Sequence, residues 1–274
     1  MWVQMWRLKM KFRDKVVWIT GASSGIGEAL AYAFNREGSN LILSGRRLAE
    51  LERVKNNNLM RNSSVHLADF DISKFDEIND IADNISRKFG QIDILINNAG
   101  VAQRAKIVDT NMEVYRQIME VNFFGTIALT KAILPSMIEL NSGHIVFIGS
   151  PAGIFSTPLR SGYSASKHAV HSFSDSLASE LANKNIKITN VIPGPVRTNM
   201  SISSLTGDGN KYAIMDRFMD TGISPTKCAE KILNGISKEK NKIEIVNFEV
   251  RKMIFLKRYF PRIFARISNK LGPQ

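Results

Sequence analysis

The chain has 274 residues and one cysteine, and 37 Lys and Arg residues against 25 Asp and Glu residues give it a net charge of +12. The length suits one large α/β domain, and the lone Cys228 excludes an intramolecular disulfide, which favours a cytoplasmic location. Residues 1–15 hold five basic residues and one acidic residue, and residues 251–274 hold seven basic residues and no acidic one. The rest of the chain therefore has 25 basic against 24 acidic residues. This near-neutral body excludes a nucleic-acid-binding protein.

Seven apolar runs alternate with six helical patterns through most of the sequence. The predicted strands cover residues 16–20, 40–44, 64–69, 92–96, 144–149, 186–192 and 242–248. The predicted helices cover residues 26–37, 47–60, 74–89, 111–139, 162–183 and 225–237. Because several strands are apolar almost throughout and the β-α-β units repeat, the pattern predicts a doubly wound, parallel, seven-stranded sheet flanked by helices in a single α/β domain. Pro135 is expected to kink or end the fourth helix.

The first strand runs through a glycine-rich turn directly into a helix. Small residues let the backbone approach a pyrophosphate, and a helix N-terminus favours its negative charge. The spacing differs from the common G-x-G-x-x-G fingerprint, and a purely structural turn is the alternative. The residues predicted to contact a dinucleotide cofactor here are Gly21, Ser23, Ser24, Gly25, Ile26 and Gly27.

The second strand is followed by Arg46 and Arg47, at the place where an NAD-selective enzyme commonly has an acidic residue. Because guanidinium groups pair well with a 2′-phosphate, the sequence predicts NADP(H) rather than NAD. Arg47 could instead be a solvated helix start. Asp71 and Ile72 follow the third strand and are predicted to hold the adenine, although an aspartate there could also cap a helix.

Tyr163 and Lys167 are four residues apart on a predicted helix, so their side chains lie on one face. A cation held beside a phenol favours the phenolate, and we expect Lys167 to lower the pKa of Tyr163 so that it can exchange a proton with an alcohol or carbonyl. Ser150 ends the fifth strand, at the carboxyl edge where ligands bind in open α/β sheets. Asn98, Ala99 and Gly100 follow the fourth strand and are expected beside a ribose.

Residues 198–224 form the longest predicted connection, and it is rich in Met and other apolar residues. Connections of this length are often lids, and flexible Met side chains suit a lipophilic substrate. Packing on the body or across a dimer contact is the alternative. The four histidines show no metal-like grouping, so no metal site is predicted, and His168 and His171 are expected to face solvent or a neighbouring subunit.

Both ends of the chain mix basic residues with large apolar ones. We predict a basic N-terminal extension over residues 1–14, one domain over residues 15–250 and a basic amphipathic tail over residues 251–274. Such tails suit peripheral contact with an anionic membrane on its cytosolic face, while packing on the domain or on a partner subunit is the alternative. No apolar run reaches the ~18 residues of a membrane span.

These motifs together resemble the short-chain dehydrogenase/reductase family over roughly residues 15–248. The matching positions are residues 20–27, residues 97–100, Asn122, Ser150, Tyr163, Lys167, Pro193 and Gly194. Residues 14–28, 44–55 and 162–169 are similar in particular to its dehydrogenase/reductase member 7 branch and to bacterial relatives. The resemblance implies a Rossmann-type fold, and the branch is associated with membranes and with lipid, steroid or retinoid carbonyls.

The resemblance also implies a role for each matching residue. Tyr163 is expected to be the general acid/base, Lys167 to bind the nicotinamide ribose, and Ser150 to bond the substrate oxygen. Asn122 is expected to hold a water that links Lys167 to solvent. The residues expected to contact the nicotinamide carboxamide are Pro193, Gly194, Val196 and Thr198.

The sequence thus predicts an NADP(H)-dependent oxidoreductase that interconverts a carbonyl and an alcohol on a lipophilic substrate. Because family members commonly pair through the helix that carries the tyrosine, a homodimer or homotetramer is expected. Two alternatives stay open: a catalytically silent NADP-binding sensor, and an NAD-dependent alcohol oxidiser.

Overall fold

The computed structural model describes residues 11–60 and 64–268. Seven parallel strands form one sheet in the order β3-β2-β1-β4-β5-β6-β7, which is the predicted doubly wound arrangement. The strands are β1 Val16–Thr20, β2 Asn40–Gly45, β3 Val65–Asp69, β4 Ile94–Asn97, β5 Gly143–Ile148, β6 Ile186–Pro193 and β7 Lys242–Ile245. The order reverses between β1 and β4, so the carboxyl ends of these two strands frame a crevice.

Helices cover both faces of the sheet. They are α1 Gly25–Arg36, α2 Leu48–Lys55, α3 Phe75–Phe89, α4 Met112–Met119, α5 Gly125–Glu139, α6 Ser161–Glu180, α7 Arg217–Asp220, α8 Pro225–Ile236, α9 Phe248–Tyr259 and α10 Pro261–Ser268. One core cluster packs β1 and β2 against α1 and α8, and the second packs the opposite face against α3, α5 and α6. Central strands such as β1, buried at all five residues, explain the near-continuous apolar runs of the sequence.

The fourth predicted helix differs from its prediction in two respects. It contains a five-residue π turn, Glu120–Phe124, between α4 and α5. It also continues through Pro135 to its predicted end at Glu139, so of the two alternatives for Pro135 the ending of the helix is wrong. Pro135 and Lys131 both lie on the exposed side, so water can satisfy the Lys131 carbonyl that a proline cannot bond.

The C-terminal part of the chain is more helical than the apolar pattern indicated. β7 ends at Ile245, three residues earlier than predicted, because the Asn247 side chain accepts a hydrogen bond from the Val250 N–H at 3.0 Å and caps α9. Phe264 of α10 is buried against Phe155, with ring centres 5.7 Å apart. Part of the predicted tail therefore packs on the domain.

Among the described residues, the continuous helical run Met112–Glu139 is long and apolar enough to cross a membrane by length and composition. Its most apolar window is 44% buried within the fold. Leu129, Ile133 and Met137 of this run belong to the core beneath the sheet. The same composition is typical of a core helix, and that is how this run is packed.

Candidate active site

A cleft of about 1860 Å³ opens along the carboxyl edge of the sheet. Its walls come from the ends of β1, β2, β4, β5 and β6 and from residues 198–219. Because parallel strands all end at this edge, motifs far apart in the sequence meet here. The cleft is large enough for a dinucleotide together with a second molecule.

The glycine-rich turn after β1 is packed so closely that side chains do not fit. A Cβ on Gly27 would stand 2.4 Å from the Gly21 carbonyl oxygen, and Gly21 itself has a φ of +63°. The Asn98 amide donates to the carbonyls of Thr20 and Gly21, at 2.9 and 3.2 Å. The turn is thus fixed from below by Asn98, and Gly27 serves this packing instead of facing the cleft.

The start of α1 suits an anion. Ser24 is the N-cap residue and makes no side-chain capping bond, so the first-turn N–H groups of α1 have no side-chain partner from it. Thr198 approaches from the other side, since a Cβ on Gly25 would lie 3.2 Å from its Cγ2. A glycine cradle at an open helix N-terminus fits the pyrophosphate of a dinucleotide.

Arg46 and Arg47 both line the cleft beyond the end of β2, and their contact with a 2′-phosphate stays a prediction. The Arg46 guanidinium lies 3.8 Å from the Asp71 carboxylate, and both side chains are partly exposed. Two nearby acids, Glu28 and Glu50, form ion pairs with Arg53 instead, each at 2.8 Å. Asp71 also forms a local turn, accepting from the Ser73 N–H at 3.0 Å.

Tyr163 is 8% exposed, and burial raises the pKa of its phenol above the ordinary value of about 10. A hydrogen bond with Ser150 and the charge of Arg160 lower the pKa in part. The prediction that Lys167 lowers this pKa is not met in this arrangement. The Lys167 ammonium donates to the Ile148 carbonyl at 2.8 Å and lies 5.9 Å from the phenol ring centre.

Lys167 is itself 5% exposed, and burial lowers its pKa to about 8. The Lys167 ammonium can therefore lose its proton at a pH much closer to neutral than an exposed lysine can. Gly100 leaves room for it, because a Cβ there would come within 3.8 Å of Lys167 Nζ and 3.2 Å of Asn122 Oδ1. The strand-end motif after β4, Lys167 and Asn122 thus converge at one point.

Asn122 lies in the π turn and is fully buried. Its Oδ1 accepts from the Val101 N–H at 2.7 Å, and its Nδ2 donates to the Val101 carbonyl and to Ser166 Oγ, each at 2.9 Å. The side chain therefore clamps the loop after β4 onto α6. A π turn interrupts regular helix geometry and is frequent at functional sites. The water-holding role of Asn122 stays a prediction.

The structure brings most of the predicted residues to the cleft. Gly27 and Asn122 do not line the cleft, but they pack against residues that do. The predicted residues that line the cleft are Gly21, Ser23, Ser24, Gly25, Ile26, Arg46, Arg47, Asp71, Ile72, Asn98, Ala99, Gly100, Ser150, Tyr163, Lys167, Pro193, Gly194, Val196 and Thr198.

Residues 198–224 cover the cleft, and the loop after β4 holds them. The Leu205 N–H donates to the Ala102 carbonyl and the Arg104 N–H donates to the Leu205 carbonyl, both at 2.8 Å. Met200, Phe218 and Met219 line the cleft, whereas Ile214 is 58% exposed. Only part of the apolar content of this segment therefore faces a ligand.

Sequence reasoning missed several residues of the site. Arg160 and Asp216 line the cleft near Tyr163, and Phe248 and Met253 of α9 form its outer wall. His171 does not face solvent as predicted: its Nε2 is buried next to Gly149, and burial lowers the pKa of His171 to about 4. His168 is exposed. No group of three metal-ligating side chains occurs within residues 11–60 and 64–268.

Several known proteins are similar in sequence over most of this chain. A Drosophila melanogaster protein named dehydrogenase/reductase SDR family protein 7-like is 42% identical over 95% of this chain and 82% of its own length. A Danio rerio protein named dehydrogenase/reductase SDR family member 7B is 40% identical over 97% of this chain and 88% of its own length.

Solved structures give the same fold. A short-chain dehydrogenase from Streptomyces avermitilis has a TM-score of 0.78 at 30% identity, covering 93% of this chain and 94% of that one. The closed form of a serine dehydrogenase complexed with NADP+ has a TM-score of 0.74 at 28% identity, covering 84% and 93%. A short-chain dehydrogenase/reductase from Burkholderia phymatum in complex with NAD has a TM-score of 0.82 at 24% identity, covering 92% of this chain and 96% of that one.

The short chain dehydrogenase family model matches residues 15–208. Together with relatives about 40% identical over almost the whole chain, this match shows that the protein belongs to the short-chain dehydrogenase/reductase family of oxidoreductases, as its motifs predicted, with the member 7 and 7B proteins among its relatives.

Proposed function

We propose that this protein is an NADP(H)-dependent oxidoreductase that interconverts a carbonyl and an alcohol on a lipophilic substrate. The observation that carries the proposal is the meeting of Ser150, Tyr163 and Lys167 at one end of a dinucleotide-sized cleft. A bound nicotinamide supplies or accepts the hydride. The remaining chemistry is a proton transfer at the substrate oxygen, and we assign this transfer to Tyr163.

We propose that Tyr163 acts as the general acid in carbonyl reduction. With its pKa raised by burial, the phenol is protonated at neutral pH and can donate to a substrate oxygen as that oxygen gains charge. Ser150 Oγ, which already accepts from the Ala152 N–H at 3.1 Å, is held in place at the end of β5 to bond the same oxygen. We propose that Lys167 binds a ribose hydroxyl of the cofactor and passes on a proton.

Consumption of NADPH tests this function. The purified protein is mixed with NADPH and steroid, retinoid, acyl-ketone and small aldehyde substrates in turn, and absorbance of the reduced cofactor is followed. Turnover with an apolar carbonyl supports the proposal. Tight NADPH binding with no consumption across the panel favours the silent NADP-binding alternative.

The cofactor preference rests on Arg46, which lines the cleft beyond β2, where the acids of the cleft wall, Glu28, Glu50 and Asp71, each lie beside an arginine. We expect Arg46→Ala to weaken NADP(H) binding by about tenfold or more and to leave NAD(H) binding nearly unchanged, because only NADP carries the 2′-phosphate. Fluorescence titration with both cofactors measures the difference. Arg36→Ala is the control, since Arg36 is exposed and paired with Glu230 outside the cleft. Equal losses for both cofactors contradict the 2′-phosphate contact.

We also propose that α9 and α10 rest on an anionic membrane on its cytosolic face. Phe255, Tyr259, Phe260 and Ile263 are each about half exposed, and the exposed basic residues beside them have no acidic neighbour in residues 251–268. Aromatic and basic side chains together suit a lipid headgroup region. The membrane would then border the outer wall of the cleft at Phe248 and Met253.

Vesicle flotation tests this membrane contact. We expect the protein to float with phosphatidylcholine vesicles that contain phosphatidylserine, and Phe255→Ser with Phe260→Ser to reduce the floating fraction by about fivefold or more, since apolar burial and charge both contribute. Phe124→Ser removes an aromatic side chain of similar exposure elsewhere and serves as the control. Unchanged flotation of the double variant argues against the contact.

The expected homodimer or homotetramer is a proposal from the family alone, and light scattering tests it.

A further inference from the structure

Three charged side chains meet in the cleft beside the catalytic tyrosine. Asp216 Oδ2 accepts from Nη2 of Arg160 at 2.7 Å and lies 2.9 Å from Nη2 of Arg104. The Arg104 and Asp216 side chains are 4% and 8% exposed, while that of Arg160 is 25% exposed. All three line the cleft. They belong to three separate parts of the chain: the loop after β4, the start of α6 and the segment over the cleft.

This cluster has more positive than negative charge. Two guanidinium groups, which stay protonated in proteins, share one carboxylate. The other acids on the cleft wall have different partners. Glu28 and Glu50 are held by Arg53, and Asp71 faces Arg46. Glu249, at the start of α9, accepts from the Asn247 amide at 3.5 Å and is not among the charges that act on Arg160. Burying an excess charge is unfavourable unless a partner balances it. The site is therefore short of one negative charge.

One nitrogen of the cluster also lacks a hydrogen bond. Nε of Arg104 is buried and has no hydrogen-bond partner among the described residues. Buried polar groups nearly always have partners, and an orphaned one calls for an explanation. A purely structural clamp on residues 198–224 needs one arginine for one aspartate. The Nε of Arg104 is too deeply buried to reach a ligand, and the Arg104 guanidinium packs 5.0 Å from the Tyr212 ring centre. The quarter-exposed guanidinium of Arg160 is the group left over from such a clamp, and it suits an anionic ligand in the cleft.

The position of Arg160 brings the excess positive charge of the cluster close to Tyr163, the proposed proton donor. Arg160 precedes α6 and lies three residues before Tyr163, close enough for its charge to act on the Tyr163 phenol. Phe218 brings apolar surface to this end of the cleft, because its N–H donates to Asp216 Oδ1 at 2.9 Å, and Phe155 and Met219 line the cleft as well. A ligand that fills this end therefore meets a proton donor, a guanidinium and an apolar wall within a short distance.

We infer that Arg160, supported by Arg104 and Asp216, binds an oxyanion of the substrate, a carboxylate or a phosphate, near the carbonyl that is reduced. This inference rests on the proposed carbonyl reduction and narrows its substrate class to amphipathic carbonyl compounds with an anionic end. The substrate supplies the negative charge that the cluster lacks. Arginine suits this task because its planar fork bonds two oxygens at once.

The test measures binding separately from turnover. Calorimetry with the NADPH-loaded Tyr163→Phe variant compares 4-oxododecanoate with its methyl ester, and 4-oxododecyl phosphate with 1-methoxydodecan-4-one. We expect the anionic member of at least one pair to bind about tenfold or more tightly than its neutral partner, since charge-assisted hydrogen bonds are strong. The pair that shows the larger preference tells carboxylate from phosphate.

Variants assign the preference to Arg160. Arg160→Gln, added to the same protein, should remove the preference, and Arg160→Lys should keep part of it because the charge remains. Arg87→Gln removes an exposed arginine outside the cleft and should leave it unchanged. Equal binding of anionic and neutral partners, no binding of any probe, or a preference that survives Arg160→Gln overturns the inference.

Turnover by the unmodified protein separates this inference from the proposed function. Reduction of the neutral ketones without preference for the anionic ones leaves the function standing and overturns the oxyanion site. Binding of the anions that depends on Arg160, with no NADPH consumed on any probe, leaves the oxyanion site standing and counts against the reductase.

Discussion

Replacing Tyr163 with Phe is expected to lower kcat for carbonyl reduction by about 10³-fold while leaving NADPH affinity within about twofold. The substitution removes one hydroxyl from a side chain that is 8% exposed, and the ring continues to fill the space. What is lost is the proton donor, since the raised pKa of Tyr163 keeps the phenol protonated at neutral pH. Steady-state rates and a fluorescence titration of NADPH measure the two quantities.

Tyr115→Phe provides a matched control for this result. Tyr115 belongs to α4, its hydroxyl bonds Ser161 Oγ at 2.9 Å, and it does not line the cleft. It loses the same atom next to the same helix α6, and we expect kcat to change by less than about threefold. If Tyr163→Phe retains a tenth or more of the rate, Tyr163 is not the general acid.

The proton chemistry also differs from what the sequence predicted. Spacing places Tyr163 and Lys167 on one helical face, but spacing does not tell where the ammonium points. It points to the Ile148 carbonyl, and the cation that acts on the phenol is Arg160. Arg160→Gln should therefore raise the pKa of Tyr163, so that the pH dependence of alcohol oxidation, which needs the phenolate, moves to higher pH.

Local patterns made the fold and the cofactor end of the cleft predictable. Apolar runs fixed the sheet, because strands buried on both faces have few polar residues. The glycines after β1 were recognisable because the strand end, the turn and the helix start all lie within residues 20–27. The structure shows why Gly27 is needed there, since a Cβ on it would lie 2.4 Å from the Gly21 carbonyl oxygen. Such features depend on neighbours in sequence, which a sequence displays directly.

The end of the cleft next to Arg160 could not be predicted in the same way. Arg104, Arg160 and Asp216 meet through tertiary packing of three segments, and none of them belongs to a motif of fixed spacing. The π turn at Asn122 has no sequence signature either, since it is set by the contacts of its side chain with Val101 and Ser166. These contacts exist only once the sheet and α6 are in place.

Asp216→Ala is expected to lower the free energy of unfolding by about 3–5 kcal/mol, the usual effect of removing one partner of a buried ion pair. Arg104 stays charged and 4% exposed, and the substitution leaves it without the carboxylate at 2.9 Å. Asp216 also accepts from the Phe218 N–H at 2.9 Å, so residues 198–224 lose part of their anchor. Urea unfolding followed by circular dichroism measures the loss.

Two further variants show whether the buried charge is the cause. Asp220→Ala removes an exposed carboxylate from the same segment and is expected to change the free energy of unfolding by less than about 0.5 kcal/mol. Arg104→Met combined with Asp216→Ala should recover part of the loss, because the uncompensated charge is then gone. A loss below about 1 kcal/mol for Asp216→Ala alone would mean that water reaches Arg104 when residues 198–224 open, and that the cluster serves ligand binding more than stability.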